Sequence, residues 1–416
     1  MQIKIRGKKK LQGNIEISGA KNSAVAVIPA AILSDGEVII RNIPNIDDVK
    51  TLIAIMQEIG YDINFQNNIL IIIPPKRIHY NIKSELVKKL RGSYYFMGSF
   101  LGKIKKIKIF SSGGCNLGLR PINYHLDSFQ KLGVKVTKHD DVITLKAKKL
   151  IGTKIDLEFP SVGATINIML AAVKAKGITT INNAAIEPEI IDIGNFLRSM
   201  GAKITGLGTS TIIIEGVKKL NGCDYTITSD RIEAGTYLIL GAISEGKGIT
   251  VHKVNPSHLI SVTDLLIQIG CDLTITENNI TIKKTKPLSN INITTKPYPG
   301  FPTDLGQLIT VLMLTIDGES SLRETIFSNR FSHVEELNRM GAEIIISEDT
   351  IHVSGPKTLK SAKLYAYDLR GAASLILAAT LNKGITYIDN IEVLLRGYEK
   401  PIEKLQSLGL NIEILE

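Results

Sequence analysis

The chain alternates between two kinds of hydrophobic pattern, and the alternation repeats. Amphipathic stretches with helical spacing end at Met56-Gln-Glu-Ile-Gly60, Phe129-Gln-Lys-Leu-Gly133, Leu197-Arg-Ser-Met-Gly201, Leu266-Ile-Gln-Ile-Gly270, Leu337-Asn-Arg-Met-Gly341 and Leu405-Gln-Ser-Leu-Gly409. Each runs straight into an every-second-residue apolar pattern, as in Ala202-Lys-Ile-Thr and Ala342-Glu-Ile-Ile, which predicts a half-buried strand. A helix that stops at glycine and turns into a strand fits a glycine in the left-handed conformation. A second set of strands follows Gly36, Gly102, Gly177, Gly248, Gly318 and Gly384. Both signals return about every seventy residues, so the chain holds six copies of one helix-and-strand unit.

One such unit has an apolar helix face and an apolar sheet face, and it buries neither alone. Three units can wrap their helices inside a ring of sheets. The expected fold class is therefore α/β, as two similar inside-out domains of three units each with a cleft between them, a usual place for small-molecule binding.

Composition narrows the function. Hydrophobic residues make up 44% of the chain but aromatics only 5%, with no Trp, so Ile, Leu and Val must fill the cores. The net charge of +10 suits an anionic partner. However, the lysines are scattered, and the runs Lys8-Lys9-Lys10 and Lys103–Lys108 carry no interleaved aromatics, so nucleic acid is not expected. Cys115, Cys223 and Cys271 are too few and too far apart for a disulfide framework or a cysteine zinc site, which fits a reducing, cytoplasmic location. No apolar run approaches the ~18 residues of a membrane span. Ala24–Leu33 is apolar, but Glu16 and Lys21 precede it and Asp35 follows, so it is expected to be a buried helix and not a signal peptide.

Several segments can carry chemistry. Ser111-Ser-Gly-Gly-Cys115-Asn-Leu-Gly-Leu-Arg120-Pro121 is glycine-rich and brings a thiol near a guanidinium. It reads either as a reactive loop with its thiolate favoured by charge or as a turn with a small buried Cys. Arg91, Arg330, Arg370 and Arg396 follow short turn signals and suit bidentate recognition of phosphate or carboxylate, although each alone also reads as a surface arginine. Lys21 and Asn22 open a predicted helix, as an anion site or an ordinary cap. Asp304 follows a Pro-containing turn, as a general base or a helix N-cap. The seven histidines show no metal-binding spacing, and no metal or cofactor is expected.

Taken together, and in this order, Gly-Ala-Lys21-Asn22, Gly-Gly-Cys115-x-x-Gly-x-Arg120-Pro121, Ser161-Val162-Gly163-Ala-Thr165, Glu187-Pro-Glu189-Ile-x-Asp192, Asp230-Arg-Ile-Glu233, Phe-Pro-Thr-Asp304, Asn-Arg330-Phe, Asp368-Leu-Arg370 and Arg396-Gly-Tyr-Glu399 resemble the UDP-N-acetylglucosamine 1-carboxyvinyltransferases along the whole chain. The resemblance implies two inside-out domains built from βαβαββ units. One would span residues 20–229; the other would be discontinuous, 1–19 with 230–416. It implies transfer of the enolpyruvyl group of phosphoenolpyruvate to the 3-hydroxyl of UDP-N-acetylglucosamine, the first committed step of peptidoglycan synthesis. By the same resemblance Cys115 is the acid, Asp304 the base, and Lys21, Arg120 and Arg396 clamp the anion, with Arg370 nearby. Asn22 would hold the tetrahedral intermediate, and Asp368 joins the catalytic set. Arg91, Arg120, Pro121, Ile122, Asn123, Tyr124, Ser161, Val162, Gly163 and Ile326 would meet the nucleotide sugar, and Arg330 would also bind substrate. The protein would work as a monomer or weak homo-oligomer. Asn123 stands where an Asp is usual, Tyr124 where Leu is common and Phe159 where some relatives carry Lys. The competing readings are a 3-phosphoshikimate enolpyruvyl transferase and a non-catalytic nucleotide-sugar-binding protein on the same fold.

Overall fold

A computed structural model describes residues 1–7, 10–82, 85–111, 122–328 and 330–415. The six glycines that end the amphipathic helices all have positive φ, from 87° at Gly341 to 110° at Gly270, as the repeat predicts. Five of them lead into a strand within two residues, but after Gly341 the expected strand from Ala342 is interrupted by the left-handed Glu343 and begins only at Ile345. Among the described residues the strands form six sheets of four.

One unit shows the plan. Strand Lys154–Asp156 leads to helix Val162–Ala172, strand Ile178–Asn182, helix Pro188–Ser199 and the hairpin Lys203–Thr205 with Thr211–Glu215. The first two strands pair parallel and the rest antiparallel. The two helices differ for a reason visible in their residues. Val162–Ala172 is apolar nearly all round, so it is buried from Ala164 to Ala172. Pro188–Ser199 is amphipathic, and Arg198 and Ser199 stay in water. The strands bury alternate residues, as with Ile212 and Ile214 of Thr211–Glu215, so one sheet face remains exposed. Helices thus lie inside and sheets outside.

The chain divides into two compact units. Of the described residues, one holds Met1–Ser18 and those from Ser229 on; the other holds those from Gly19 to Thr228. Each has its own core. In the second unit, helix Tyr95–Ile104 lies against Val162–Ala172 at a distance only glycine permits. A Cβ on Gly98 would sit 2.5 Å from the Asn167 carbonyl oxygen, and one on Gly102 would sit 2.7 Å from that of Leu170. In the first unit, strand Gln2–Arg6 lies between Ile385–Asp389 and Asn411–Leu415, so the start of the chain completes its last sheet.

Two sheets take their parallel edge from a distant part of the chain. Gln12–Glu16 flanks Gly248–His252, and Cys223–Thr226 flanks Val38–Arg41. The first of these pairings, with that of Gln2–Arg6, makes the first unit discontinuous in sequence. No helix among the described residues is long and apolar enough to cross a membrane.

Each core also encloses a histidine. His125 is held neutral by burial and by the Arg91 charge, its pKa pushed down to about 3. For His333 burial dominates, with Asp368 opposing and Arg330 assisting, and the value falls to about 4. Both lie below the ordinary value, so between pH ~6.5 and those values the unfolded chain binds protons that the folded chain refuses. Their contribution to stability is complete above pH ~6.5 and is lost as pH falls through this window. At pH ~5 each should cost about 2 kcal/mol. Denaturant unfolding at pH ~7.5 and ~5 checks this: His333→Leu should lose about 2 kcal/mol less than the wild type over that interval, and an equal loss would contradict it.

Candidate active site

In the first unit the candidate residues gather around one carboxylate. Asp304 lies in the single 3-10 turn Thr303–Leu305, set by Pro302 and continued by the buried helix Gly306–Met313. Arg330 Nη2 donates to Asp304 Oδ1 at 2.6 Å, and Arg370 Nη2 donates to Oδ2 at 3.1 Å. Both arginines are 4% exposed, while the carboxylate keeps 27% of its surface open. Burial alone would raise the Asp304 pKa, but the two guanidiniums outweigh it and hold the group well below the usual carboxylate range. Arg330 Nε and Arg370 Nη1 remain buried with no partner among the described residues. Unmet buried donors beside an ionised carboxylate make a site that favours a further anion.

The surrounding residues fix this geometry. Arg330 Nη1 also donates to Thr303 Oγ1 at 3.0 Å, and that hydroxyl donates to Glu324 Oε2 at 2.7 Å. Glu324 Oε1 accepts from the Ile326 backbone N–H at 2.7 Å, so one buried carboxylate sets both the Asp304 turn and the position of Ile326. Asp368 caps helix Leu369–Leu381, accepting from the N–H groups of Arg370 and Gly371 at 3.0 Å each. Its other oxygen accepts from Ser332 at 2.9 Å and Gln307 at 3.2 Å. Burial works to raise the Asp368 pKa, but the Gly371 N–H and these donors prevail, so it too stays ionised below the usual range. With four donors already satisfied, Asp368 is built to aim Arg370. The Arg370 guanidinium also lies 5.2 Å from the Tyr398 ring, and the Tyr398 hydroxyl pairs with Thr236 at 2.8 Å. Arg396 is half-buried at the end of the short helix Glu392–Leu395.

The second unit presents a different set. Lys21 opens the buried helix Lys21–Ala30, and its ammonium lies 2.7 Å from Asp48, an ion pair with the lysine 13% and the carboxylate 5% exposed. Asn22 beside it faces solvent. Arg91 begins the 3-10 turn Arg91–Tyr94, its guanidinium 5.6 Å from the Tyr94 ring, with its pKa lowered by burial. Ser161 caps Val162–Ala172 by accepting from the Ala164 N–H at 3.3 Å, so Val162 and Gly163 form the first turn of that helix. Ile122 and Tyr124 are half-buried, and Asn123 is exposed at the start of Asn123–Lys131. Cys115, Arg120 and Pro121 lie outside the described residues.

Two of the sequence motifs hold structure together. Asp192 accepts from the Tyr225 hydroxyl at 2.5 Å and the Thr228 N–H at 3.1 Å. Asp230 caps Arg231–Ile243, and Glu233 accepts from the Ser18 N–H at 2.8 Å and from Lys404 at 2.5 Å. Sequence reasoning missed Glu324, Asp48, Tyr398, His125 and Asn167. Asn167 is a polar residue in an otherwise apolar helical stretch, and that mismatch was the available signal.

A family model described as EPSP synthase (3-phosphoshikimate 1-carboxyvinyltransferase) matches residues 5–405. UDP-N-acetylglucosamine 1-carboxyvinyltransferase 2 of Listeria monocytogenes serotype 4b is 47% identical over 408 residues, 98% of this chain and 96% of that protein. The protein of the same name from Bacillus anthracis is 47% identical over 412 residues, covering 99% and 96%. Among solved structures, the enolpyruvyl transferase NikO from Streptomyces tendae superposes with a TM-score of 0.90 at 25% identity, covering 99% of this chain and 98% of NikO. EPSP synthase from Acinetobacter baumannii shares the fold, with a TM-score of 0.78 at 20% identity over the whole of both chains. The chain belongs to the EPSP synthase family of enolpyruvyl transferases, among the UDP-N-acetylglucosamine 1-carboxyvinyltransferases.

Proposed function

We propose that the protein transfers the enolpyruvyl group of phosphoenolpyruvate to the 3-hydroxyl of UDP-N-acetylglucosamine, releasing phosphate, in the cytoplasm, as the first committed step of peptidoglycan synthesis. The observation that carries this reading is Asp304 held ionised between two buried guanidiniums, each with an N–H that has no partner among the described residues. A proton acceptor beside buried guanidiniums is what a reaction between a hydroxyl and an anionic enol phosphate needs. Relatives that carry the name of this activity over nearly their full length support it.

In the addition step, a proton goes to the methylene carbon of the enol phosphate while the sugar oxygen bonds to the neighbouring carbon. Cys115 is the proposed acid, and Asp304 takes the hydroxyl proton. In the elimination step, the methyl group returns a proton to the Cys115 thiolate as the carbon–oxygen bond to phosphate breaks, and the phosphate leaves with the proton held by Asp304. Lys21, Arg120, Arg370 and Arg396 are assigned to the anion, and Asn22 to the tetrahedral intermediate. Arg91, Ile122, Asn123, Tyr124, Ser161–Gly163, Ile326 and Arg330 are assigned to the nucleotide sugar and its surroundings. Asp368 acts through Arg370. The two guanidiniums keep Asp304 ionised but also weaken it as a base. An arriving anionic substrate takes up part of that positive field, so the proton affinity of Asp304 rises when the base is needed. The protein is assigned as a monomer or weak homo-oligomer with no cofactor.

The reading that differs only in acceptor is 3-phosphoshikimate, the substrate in the description of the matching family model. An assay of phosphate release from phosphoenolpyruvate with each acceptor separates the two. Release should require UDP-N-acetylglucosamine; release with 3-phosphoshikimate alone would reverse the assignment. Asp304→Asn should lower kcat about a hundredfold or more. Removing one neighbouring cation raises the Asp304 pKa, so in Arg330→Gln the acid limb of kcat/KM should move up from its wild-type position below pH ~4. An unmoved limb would remove Arg330 from control of the base.

The described thiols are poor nucleophiles. Burial pushes Cys271 up to about 11 and raises Cys223 as well. The epoxide fosfomycin should therefore add once, at Cys115, and faster with UDP-N-acetylglucosamine present. Peptide mapping that places the adduct on Cys223 or Cys271 would contradict the role of Cys115.

A further inference from the structure

A buried polar chain runs to the amino end of helix Val162–Ala172. The Gly98 backbone N–H donates to Asn167 Oδ1 at 2.9 Å, and Asn167 Nδ2 lies 2.8 Å from His125 Nδ1. A backbone nitrogen only donates, so the amide atom it meets must be the oxygen. The Asn167 NH2 therefore faces the imidazole. That group also only donates, so Nδ1 must accept, and in a neutral ring the single proton sits on Nε2. Gly98 thus fixes the tautomer of His125 through Asn167.

The remaining nitrogen is aimed at a definite place. His125 is 6% exposed, and Nε2 has no partner among the described residues. A Cβ on Gly163 would stand 3.1 Å from Nε2 and 3.0 Å from Cε1, so the absence of a side chain there leaves the N–H uncovered. Gly163 belongs to the first turn of the helix capped by Ser161, where the N–H groups lack helical partners and the helix dipole is positive. Arg91 adds charge nearby: it contacts the Tyr94 ring, whose centroid is 6.3 Å from that of His125. A helix amino end and a buried N–H meeting at one turn, with a guanidinium against the neighbouring Tyr94 ring, suit a phosphate oxygen.

We propose that His125 is a binding residue for the nucleotide sugar, donating a hydrogen bond from Nε2 to a diphosphate oxygen held at the Ser161–Gly163 turn, with Asn167 as the residue that sets its tautomer. The assignment rests on the nucleotide-sugar reading above and names a contact within it. The low His125 pKa keeps the ring neutral near pH 7, so the donor persists without a second charge that would vary with pH.

Long-range proton–nitrogen NMR of the full-length protein with labelled histidine tests this directly. His125 should show the Nε2–H tautomer at neutral pH, and its Nε2 resonance should move with UDP but not with uridine. In Asn167→Asp, one carboxylate oxygen accepts from Gly98 and the other from Nδ1–H, which inverts the tautomer. The KM for UDP-N-acetylglucosamine should then rise about tenfold or more, with kcat changed far less. His125→Leu should raise it similarly, and His125→Gln, which returns a donor near the Nε2 position, should recover most of the loss. Adding Asn167→Asp to His125→Gln should cost little more, because glutamine has no tautomer to set. Thermal melts identify variants that fail to fold, and for these the wild-type spectra decide. An Nδ1–H tautomer, a response to uridine, or an Nε2 resonance unmoved at saturating UDP overturns the proposal while leaving the nucleotide-sugar reading in place. A wild type that binds no UDP overturns both.

Discussion

A single carboxylate between two buried guanidiniums is the constraint on which the candidate active site depends. Burying a guanidinium is costly unless its donors and charge are met. Asp304 meets part of that demand for Arg330 and Arg370 at once, and each keeps an N–H with no partner among the described residues. The arrangement is therefore electrostatically incomplete in a useful direction: it favours one more anion. Thr303, Glu324, Asp368, Ser332 and Gln307 spend their hydrogen bonds on holding these three side chains and the adjoining turns. Preorganisation of this kind puts the cost of placing the charges into folding, so it need not be met again during the reaction.

The repeated unit explains where such groups come from. Each unit contributes one apolar helix to the interior, and the amino end of such a helix must be capped where it meets the surface. The candidate residues lie at those ends. Lys21 and Asn22 open one helix and Ser161 caps another. Asp304 lies one turn before a third, and Asp368 and Arg370 begin a fourth. Positions that the backbone requires to be polar are thus the positions of the candidate residues. The same logic extends to His125 and Asn167, which carry polar order from the Gly98 backbone to one such end.

Much of this was legible in the sequence because it is local. A glycine after an amphipathic helix is a local signal, and all six took the left-handed backbone. The apolar run Ala24–Leu33 is buried throughout, as its flanking charges implied. The strand exchanges were less accessible, because the pairing of Gln12–Glu16 with Gly248–His252 joins segments with no local mark of partnership. At the site, Asp304, Arg330 and Arg370 were readable as separate candidates, but their convergence is a tertiary fact. Either reading of Asp304, cap or base, fitted its position after a proline turn; the structure adds that both its oxygens meet arginines. Asp368 was grouped with the catalytic residues, and its four hydrogen bonds show how fully its acceptors are engaged in capping and aiming. Glu324 escaped notice because a buried carboxylate that binds backbone N–H groups leaves no motif.

The central claim is that Asp304 serves as the proton acceptor in enolpyruvyl transfer to a sugar hydroxyl. Mass analysis of the products formed from phosphoenolpyruvate and UDP-N-acetylglucosamine tests it most directly. The account predicts a nucleotide sugar carrying one enolpyruvyl ether, formed in step with phosphate by the wild type and nearly absent with folded Asp304→Asn. Phosphate release without that ether, or undiminished ether formation by the variant, would contradict it.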